Sequence, residues 1–439
     1  MVYYVLLDSA MEDSFDDIES ISFKKERRDE SVFTIKFNDG TIREFGADNR
    51  VAGRFRQINL STNSLSKEEI KEISRDADIR MFSIDTVIDN GDSISVTLIN
   101  GTTYKINKDD HIITDIYDKD GNSIVEDIGM FTDEAAEYGL YGGAQANLIN
   151  NFYDYKDDKQ IQEIIKNYFP NENLSDDDLK LLFAKMNDVG CGYVAMCNTI
   201  FQLTEKLSDD EFKEKFGFDR HRIQRTSDGK YIRTYNYDYM FLDFFMYYQT
   251  NYAKFKSISD IIGDVTTNEN GDMVFAEDTG AQGNHSFYVE DCFKQYAKDR
   301  NIKYKSSSTA FGSNEMYNYD FGNKIFNFFD GLLEFYNPFN NAYIRSTIES
   351  SLKEGKSIVV DMRDFTMCSP EDLDGNGKLD DVVKEDVGGH AMLVLGTTDD
   401  GGYIVSSWGK KYIVYPKADN FYHIISKSKE TLETMTIYE

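Results

Sequence analysis

Two widely separated stretches of the sequence contain the residue types of nucleophilic catalysis. Cys191 lies between two glycines where an apolar helical pattern begins, and His390 precedes an apolar, strand-like run near the C-terminus. A helix N-terminus favours a thiolate, and an imidazole can accept the thiol proton. The two residues therefore predict a nucleophile with its general base, although a free cysteine is more often a buried packing residue.

A serine in the strand after His390 supplies a third candidate. Residues 391–395 and 403–408 are predicted to form the two strands of one hairpin. The end of the second strand of a hairpin lies beside the start of the first. We therefore expect Ser406 to accept a hydrogen bond from His390 and fix its tautomer, with Trp408 shielding that bond from water. Cys197, in the middle of the apolar helix, is expected to be a core residue.

The order of these elements resembles the papain-like cysteine peptidases. They too have a cysteine on a helix, a later histidine on a strand, and a Trp-Gly pair at the end of the following strand. The Gly-Cys-Gly-x-x-Ala-Met element at 190–196 is more similar to the C39-like branch than to papain. The resemblance spans roughly residues 175–415. It implies an α+β fold in which the helix of Cys191 packs on an antiparallel sheet carrying His390, with Ser406 standing where the family usually has asparagine.

The oxyanion donors depart from the family pattern. The glutamine that the family uses would fall on Lys185, so Asn187 is the nearest amide, and the backbone N–H of Cys191 would be the second donor. The resemblance implies a peptidase for peptide or isopeptide bonds. Deamidation or transglutamination of a protein amide would use the same site.

A catalytically inactive scaffold used for protein binding or adhesion is the competing interpretation. It is favoured by the missing glutamine and by Ser406. Papain-like domains of this kind also occur in secreted bacterial effectors and polymorphic toxins, and the chain resembles such a domain.

An acidic loop shortly before His390 resembles the first half of an EF-hand. Its candidate ligands alternate along the chain, with glycine at the sixth position, and are Asp372, Asp374, Asn376 and Asp380. The twelfth position is Val383, where such loops have glutamate. A structural Ca²⁺ site and a solvated acidic loop both fit, and no other cofactor is expected.

Residues 1–128 are predicted to form a β-rich module, and residues 129–439 the hydrolase domain. Hairpin signals at Asn38–Gly40 and Ile99–Gly101 suggest two copies of a small β-meander. The module contains no catalytic constellation, so we expect it to bind another protein or to restrain the enzyme. Gly139, Gly142 and Gly143 predict a flexible join between the domains.

Net charge and the distribution of apolar residues limit the classes of binding partner. The formal net charge of -30 argues against binding to nucleic acid or to anionic lipid. No apolar run approaches the roughly 20 residues of a membrane span. The N-terminus lacks the basic region of a secretory signal. The missing signals predict a protein that is cytosolic, exported by a non-classical route, or cut from a longer chain. A composition rich in Lys, Asn, Ile, Asp and Tyr, with four prolines, indicates a bacterial source. We expect the substrate to be a protein or peptide.

Overall fold

A computed structural model describes most of the chain. The described residues are 18–27, 30–37 and 42–48 (backbone only), 65, 67–77, 79, 84–109, 111–226, 228–268, 273–276, 279–282, 286–310, 340–362, 365–370, 381–383, 390–416 and 432–439. Contacts divide the chain into two units, 1–127 with 222–233, and 128–221 with 234–439. The sequence division at residue 128 did not include the segment 222–233 in the first unit.

The first unit contains two antiparallel sheets of consecutive strands. The strands of the first sheet are β1 (Ile18–Arg27), β2 (Glu30–Phe37) and β3 (Ile42–Asp48). The strands of the second are β4 (Ile84–Asp89), β5 (Ser93–Leu98), β6 (Thr103–Asn107) and β7 (Ile113–Tyr117). The β5–β6 turn contains Gly101 at φ +89°, a backbone conformation that glycine adopts without strain. The predicted turn at Asn38–Gly40 lies outside the described residues, but β2 and β3 pair as expected.

A short helix, α1 (Lys67–Asp76), covers the second sheet of this unit. Its Ile70 and Ile73 pack with Ile94 and Ile106, which are fully buried on one face of the sheet. Alternate residues of β5 are buried, as period-two patterning requires. A third sheet orders β8 (Val125–Asp127), β10 (Tyr231–Tyr235) and β9 (His221–Arg225), and β8 pairs in parallel with residues 231–233.

The second unit begins with a series of helices. They are α2 (Asp133–Glu137), α3 (Asn147–Asn150), α4 (Phe152–Tyr155), α5 (Lys159–Tyr168), α6 (Asp176–Val189), α7 (Cys191–Leu203), α8 (Asp209–Phe216), α9 (Tyr237–Tyr247), α10 (Ile258–Ile262), α11 (Ser286–Asp299) and α12 (Asn340–Lys353). A π-helical turn, Tyr248–Tyr252, continues α9, and a small hairpin joins β11 (Val265–Thr267) to β12 (Met273–Phe275). Ser175 and Ser208 close reciprocal capping boxes at the starts of α6 and α8, as their sequence pattern predicts.

Helices α7 and α9 form the centre of this unit. Residues 192–201 of α7 and all eleven residues of α9 are buried. Tyr193 stacks edge-on against Phe245 and Tyr248, with ring centroids 5.1 and 5.2 Å apart. The aromatic residues of α9 are therefore core, and Cys197 is buried with them at 1% exposure.

An eight-stranded antiparallel sheet completes the second unit. Its order is β13 (Ser306–Ala310), β20 (Leu432–Tyr438), β14 (Ser357–Met362), β17 (His390–Thr397), β18 (Tyr403–Ser407), β19 (Lys410–Pro416), β15 (Phe365–Cys368) and β16 (Asp381–Val383). Val359, Ala391 and Leu393 face the core that contains α7, whereas alternate residues such as Met392 join a second cluster with Ile348 of α12. The chain is thus a mixed α+β protein with antiparallel sheets. Within its described residues, no helix is long and apolar enough to cross a membrane.

Candidate active site

The helix that begins with Cys191 starts at a tight junction. Gly190 is both the C-cap residue of α6 and the N-cap residue of α7. A Cβ atom at Gly190 would collide with the carbonyl oxygen of Met186 and lie 2.8 Å from Cζ of Phe241. Only glycine therefore allows the two helices to meet here. Cys191 is half-buried at the first turn of α7, where backbone N–H groups lack helical partners.

The Cys191 thiol is packed against the start of β17. Burial raises the pKa of this thiol, the Ala391 backbone N–H lowers it, and the Asp361 carboxylate raises it. The N–H groups of Gly192 and Cys191 also lower it. Asp361 is 2% exposed and is the cross-strand partner of Ala391. The net effect is upward, so the thiol is protonated at neutral pH in this arrangement.

His390 is the first residue of β17 and is 6% exposed. Its Nε2 lies 2.7 Å from Oγ of Ser407. The imidazole stacks on Trp408, with ring centroids 4.9 Å apart, and faces Phe365 at 6.3 Å. Burial lowers the pKa of His390 to about 4. The imidazole is therefore neutral at neutral pH, as a proton acceptor must be.

Cys191 and His390 both lie near the start of β17, but their side chains are not in contact. Ala391 faces α7, and His390 precedes it on the opposite face of β17 together with Met392. Within the described residues no hydrogen bond joins Cys191 to His390. The main chain at Ala391 lies beside the thiol, and the imidazole lies on the Trp408 side of that strand.

Ser406 does not make the predicted contact with His390, and Ser407 occupies that place instead. The Oγ of Ser406 donates to the Tyr141 carbonyl at 2.6 Å and lies 3.3 Å from Nδ2 of Asn198. A one-residue bulge at position 395 explains the difference, because the register shifts there and Ser406 pairs with Leu393. In an unbulged hairpin Ser406 would share a face with His390. The bulge gives that face to Ser407.

Gln145 is an amide close to the start of α7 that was not predicted from the sequence. Its Nε2 donates to the Asn187 carbonyl at 2.7 Å, and its Cβ lies 3.0 Å from the position of a Cβ on Gly190. Asn187 itself is half-buried on the last turn of α6. Gln145 is more than 40 residues from Cys191 in sequence. The available signal was an amide two residues after the pair Gly142–Gly143, in a segment predicted to be flexible.

That segment is in fact buried and hydrogen-bonded. Tyr141, Gly142 and Gly143 are all buried. Tyr141 N donates to the Gly409 carbonyl at 2.9 Å, and Gly409 N donates to the Gly143 carbonyl at 3.0 Å. The glycines therefore allow close packing between elements, and the prediction of a flexible join is wrong for these residues.

The remaining positions considered in the sequence are Lys185 and the four candidate calcium ligands. Lys185 is 2% exposed, and its Nζ is 3.8 Å from Asp188 and 4.8 Å from the ring centre of Phe275. The predicted calcium ligands Asp372, Asp374, Asn376 and Asp380 lie outside the described residues. Across the ranges that are described, no group of three or more potential metal-ligating side chains is found.

Comparison of the chain with protein-family models, with curated proteins and with solved structures finds no match.

Proposed function

We propose that the second unit is a cysteine-dependent hydrolase of the papain-like type, acting on peptide or isopeptide bonds of a protein or peptide. The observation that supports this most strongly is the meeting of two elements. Cys191 opens the central helix α7, and its thiol lies against the backbone one residue after His390. This chemistry needs a nucleophile at a helix N-terminus and a neutral imidazole whose other ring nitrogen is hydrogen-bonded. Cys191 provides the first, and His390, with Nε2 beside Ser407, provides the second.

Each residue has a defined part in the proposed reaction. Nδ1 of His390 takes the thiol proton while Sγ of Cys191 bonds to the substrate carbonyl carbon. The oxyanion receives hydrogen bonds from the Cys191 N–H and from an amide, for which Gln145 and Asn187 are the candidates. The C–N bond then breaks, and His390 gives its proton to the leaving amine. Water next attacks the thioester carbonyl carbon while His390 accepts a proton from it. The C–S bond then breaks, the carboxylic acid product leaves, and His390 returns the proton to Sγ of Cys191.

Ser407 supplies the orientation that the family obtains from asparagine. It holds Nε2, so Nδ1 is the nitrogen that remains for the thiol. In the described arrangement the imidazole must turn about the start of β17 to bring Nδ1 to Cys191. Catalytic hydrogen bonds are often looser without substrate. We infer that the imidazole makes this turn in an equilibrium of the free protein, and that substrate binding shifts the equilibrium towards the turned state.

A protein-binding scaffold without catalysis is the second candidate. Two observations favour it: burial raises the pKa of the Cys191 thiol, and within the described chain no hydrogen bond joins it to His390. A deamidase or transglutaminase would use the same groups on a side-chain amide, and only the products distinguish these activities from peptide hydrolysis.

Incubation with a proteome-derived peptide mixture, followed by mass spectrometry, tests the proposal. The wild-type protein should generate new peptide termini that Cys191→Ser does not generate. Cys197→Ser is the matched control, because Cys197 is buried in the same helix and should leave turnover intact. Conversion of Gln or Asn side chains without new termini would indicate a deamidase. No difference between wild type and Cys191→Ser would favour the scaffold.

A further inference from the structure

A buried amide on the catalytic helix connects it to two other elements. Asn198 is 1% exposed on α7, seven residues after Cys191 and therefore about two helical turns away, on nearly the same side. Its Oδ1 accepts the Gly143 N–H at 2.9 Å, and its Nδ2 donates to Oγ of Ser406 at 3.3 Å. A polar side chain this buried in an apolar helix is stable only when its hydrogen bonds are made.

The direction of every hydrogen bond in this group is determined. Ser406 is 3% exposed and has one hydroxyl hydrogen, which it donates to the Tyr141 carbonyl at 2.6 Å. Its oxygen must therefore accept from Nδ2 of Asn198. The opposite amide orientation would place Nδ2 against the Gly143 N–H, so only one arrangement satisfies all the groups.

The same segment holds the turn that follows Ser407. Tyr141 and Gly143 exchange two backbone hydrogen bonds with Gly409, the residue after Trp408. Trp408 has φ +51°, which is strained for a bulky side chain, and such strain persists only where the surroundings impose it. The conformation places the indole on the imidazole of His390.

We infer that Asn198 and Ser406 are positioning residues: their hydrogen bonds lock the segment Tyr141–Gly143 between α7 and the β18–β19 turn, and so fix Ser407 and Trp408 against His390. Ser406 thus orients the imidazole indirectly, through the turn. We call this set of hydrogen bonds the joint. Its effect on catalysis rests on the proposed function, but its effect on the position of Trp408 does not.

The fit of the segment supports this role. Gly142 has φ +85°, and a Cβ there would collide with Oγ of Ser406 and lie 2.8 Å from Nδ2 of Asn198. The backbone thus approaches the two polar side chains as closely as glycine allows. A segment that merely covered the helix would not require such contact.

Trp408 is the only tryptophan in the chain, so its fluorescence reports directly on the turn. The test variants are Ser406→Ala and Asn198→Leu, which remove the hydrogen bonds with little change in volume. Thr199→Val is the matched control, because Thr199 is equally buried on α7 and its hydroxyl donates only within the helix, to Ala195.

Two fluorescence measurements decide the question. Acrylamide quenching of Trp408 should rise about twofold in the test variants as the turn opens locally, and should stay at the wild-type value in Thr199→Val. The pH midpoint of the emission change caused by protonation of His390 should move from about 4 towards 6.5 in the same variants. Quenching and midpoint both equal to the control in every folded test variant would overturn the inference.

Alkylation of Cys191 by iodoacetamide separates the joint from the proposed function. If both are correct, Asn198→Leu and Ser406→Ala slow alkylation as His390→Gln does, whereas Thr199→Val does not. If His390→Gln has no effect on alkylation while Trp408 responds as expected, the joint stands and the hydrolase proposal is wrong. One folded variant is enough for the test. If Asn198→Leu or Ser406→Ala misfolds, the other can still refute the inference.

Discussion

Acidification should destabilise the second unit through His390. The folded protein buries this imidazole in the neutral form, with a pKa of about 4 against an ordinary value of 6.5. Its described contacts, Phe365, Ser407 and Trp408, are all uncharged. Between these two pH values the unfolded chain binds the proton and the folded chain does not. The stabilising contribution is therefore complete above pH 6.5 and is lost as the pH falls towards 4.

The size of this effect follows from the two pKa values. Their difference, 6.5 minus about 4, is about 2.5, and each pH unit is worth about 1.4 kcal/mol, so the loss approaches about 3 kcal/mol at pH 4. At pH 5.5, one unit below the ordinary pKa, the loss should be about 1.4 kcal/mol.

Urea unfolding followed by Trp408 emission measures this loss, with His390→Gln as the reference. The glutamine keeps a hydrogen-bonding group near Ser407 but does not titrate. Carboxylates that titrate in the same range affect both proteins equally, so the difference between the two unfolding free energies isolates His390. That difference should change by about 2–3 kcal/mol between pH 7.5 and 4. Parallel pH profiles for the two proteins would refute the burial of a neutral imidazole.

Two substitutions test the packing around the site by chemical denaturation. Gly142→Ala should lower the free energy of unfolding by more than about 2 kcal/mol, because the methyl group would collide with Oγ of Ser406 and the residue has a positive φ. Gly217→Ala has a similar φ but lies in open space, so it should lower the free energy of unfolding by only about 1 kcal/mol. Equal losses in the two variants would contradict the close approach at Gly142. Asp243→Asn should lower the free energy of unfolding by about 3–5 kcal/mol, because Asp243 is 4% exposed and its loss of charge removes the carboxylate that pairs with the half-buried Arg300 at 2.8 Å. A change below about 1 kcal/mol would show that the pair is solvated.

Local signals in the sequence predicted the individual elements well. The capping boxes at Ser175 and Ser208 and the Asn-Gly turn at Gly101 each involve residues within a few positions of one another. The hairpin of β17 and β18 follows from two apolar runs around a glycine-rich turn. These features depend on backbone conformation and capping, which short sequences determine.

The contacts of the site depend on long-range packing and were predicted less well. The single bulge at position 395 gives the face of His390 to Ser407. The neighbouring Gly396 is a residue type that often marks a bulge, but the sequence pattern placed it in the turn after the strand. Gln145 reaches Gly190 only because the segment before it is pinned by Asn198 and Gly409. The glycines of that segment, considered alone, predicted flexibility. In the structure their small size lets the backbone pack closely against Asn198 and Ser406.

The rate of iodoacetamide labelling at each cysteine of the native protein, across pH and with His390→Gln alongside, tests the central claim most directly. If His390 activates Cys191, this thiol labels faster than the buried Cys197 and Cys292, and His390→Gln slows it at least about tenfold at neutral pH, equivalent to about 1.4 kcal/mol. If Cys191 labels no faster than those two cysteines, or at the same rate in His390→Gln, the thiol is not activated. The binding scaffold would then be the better account.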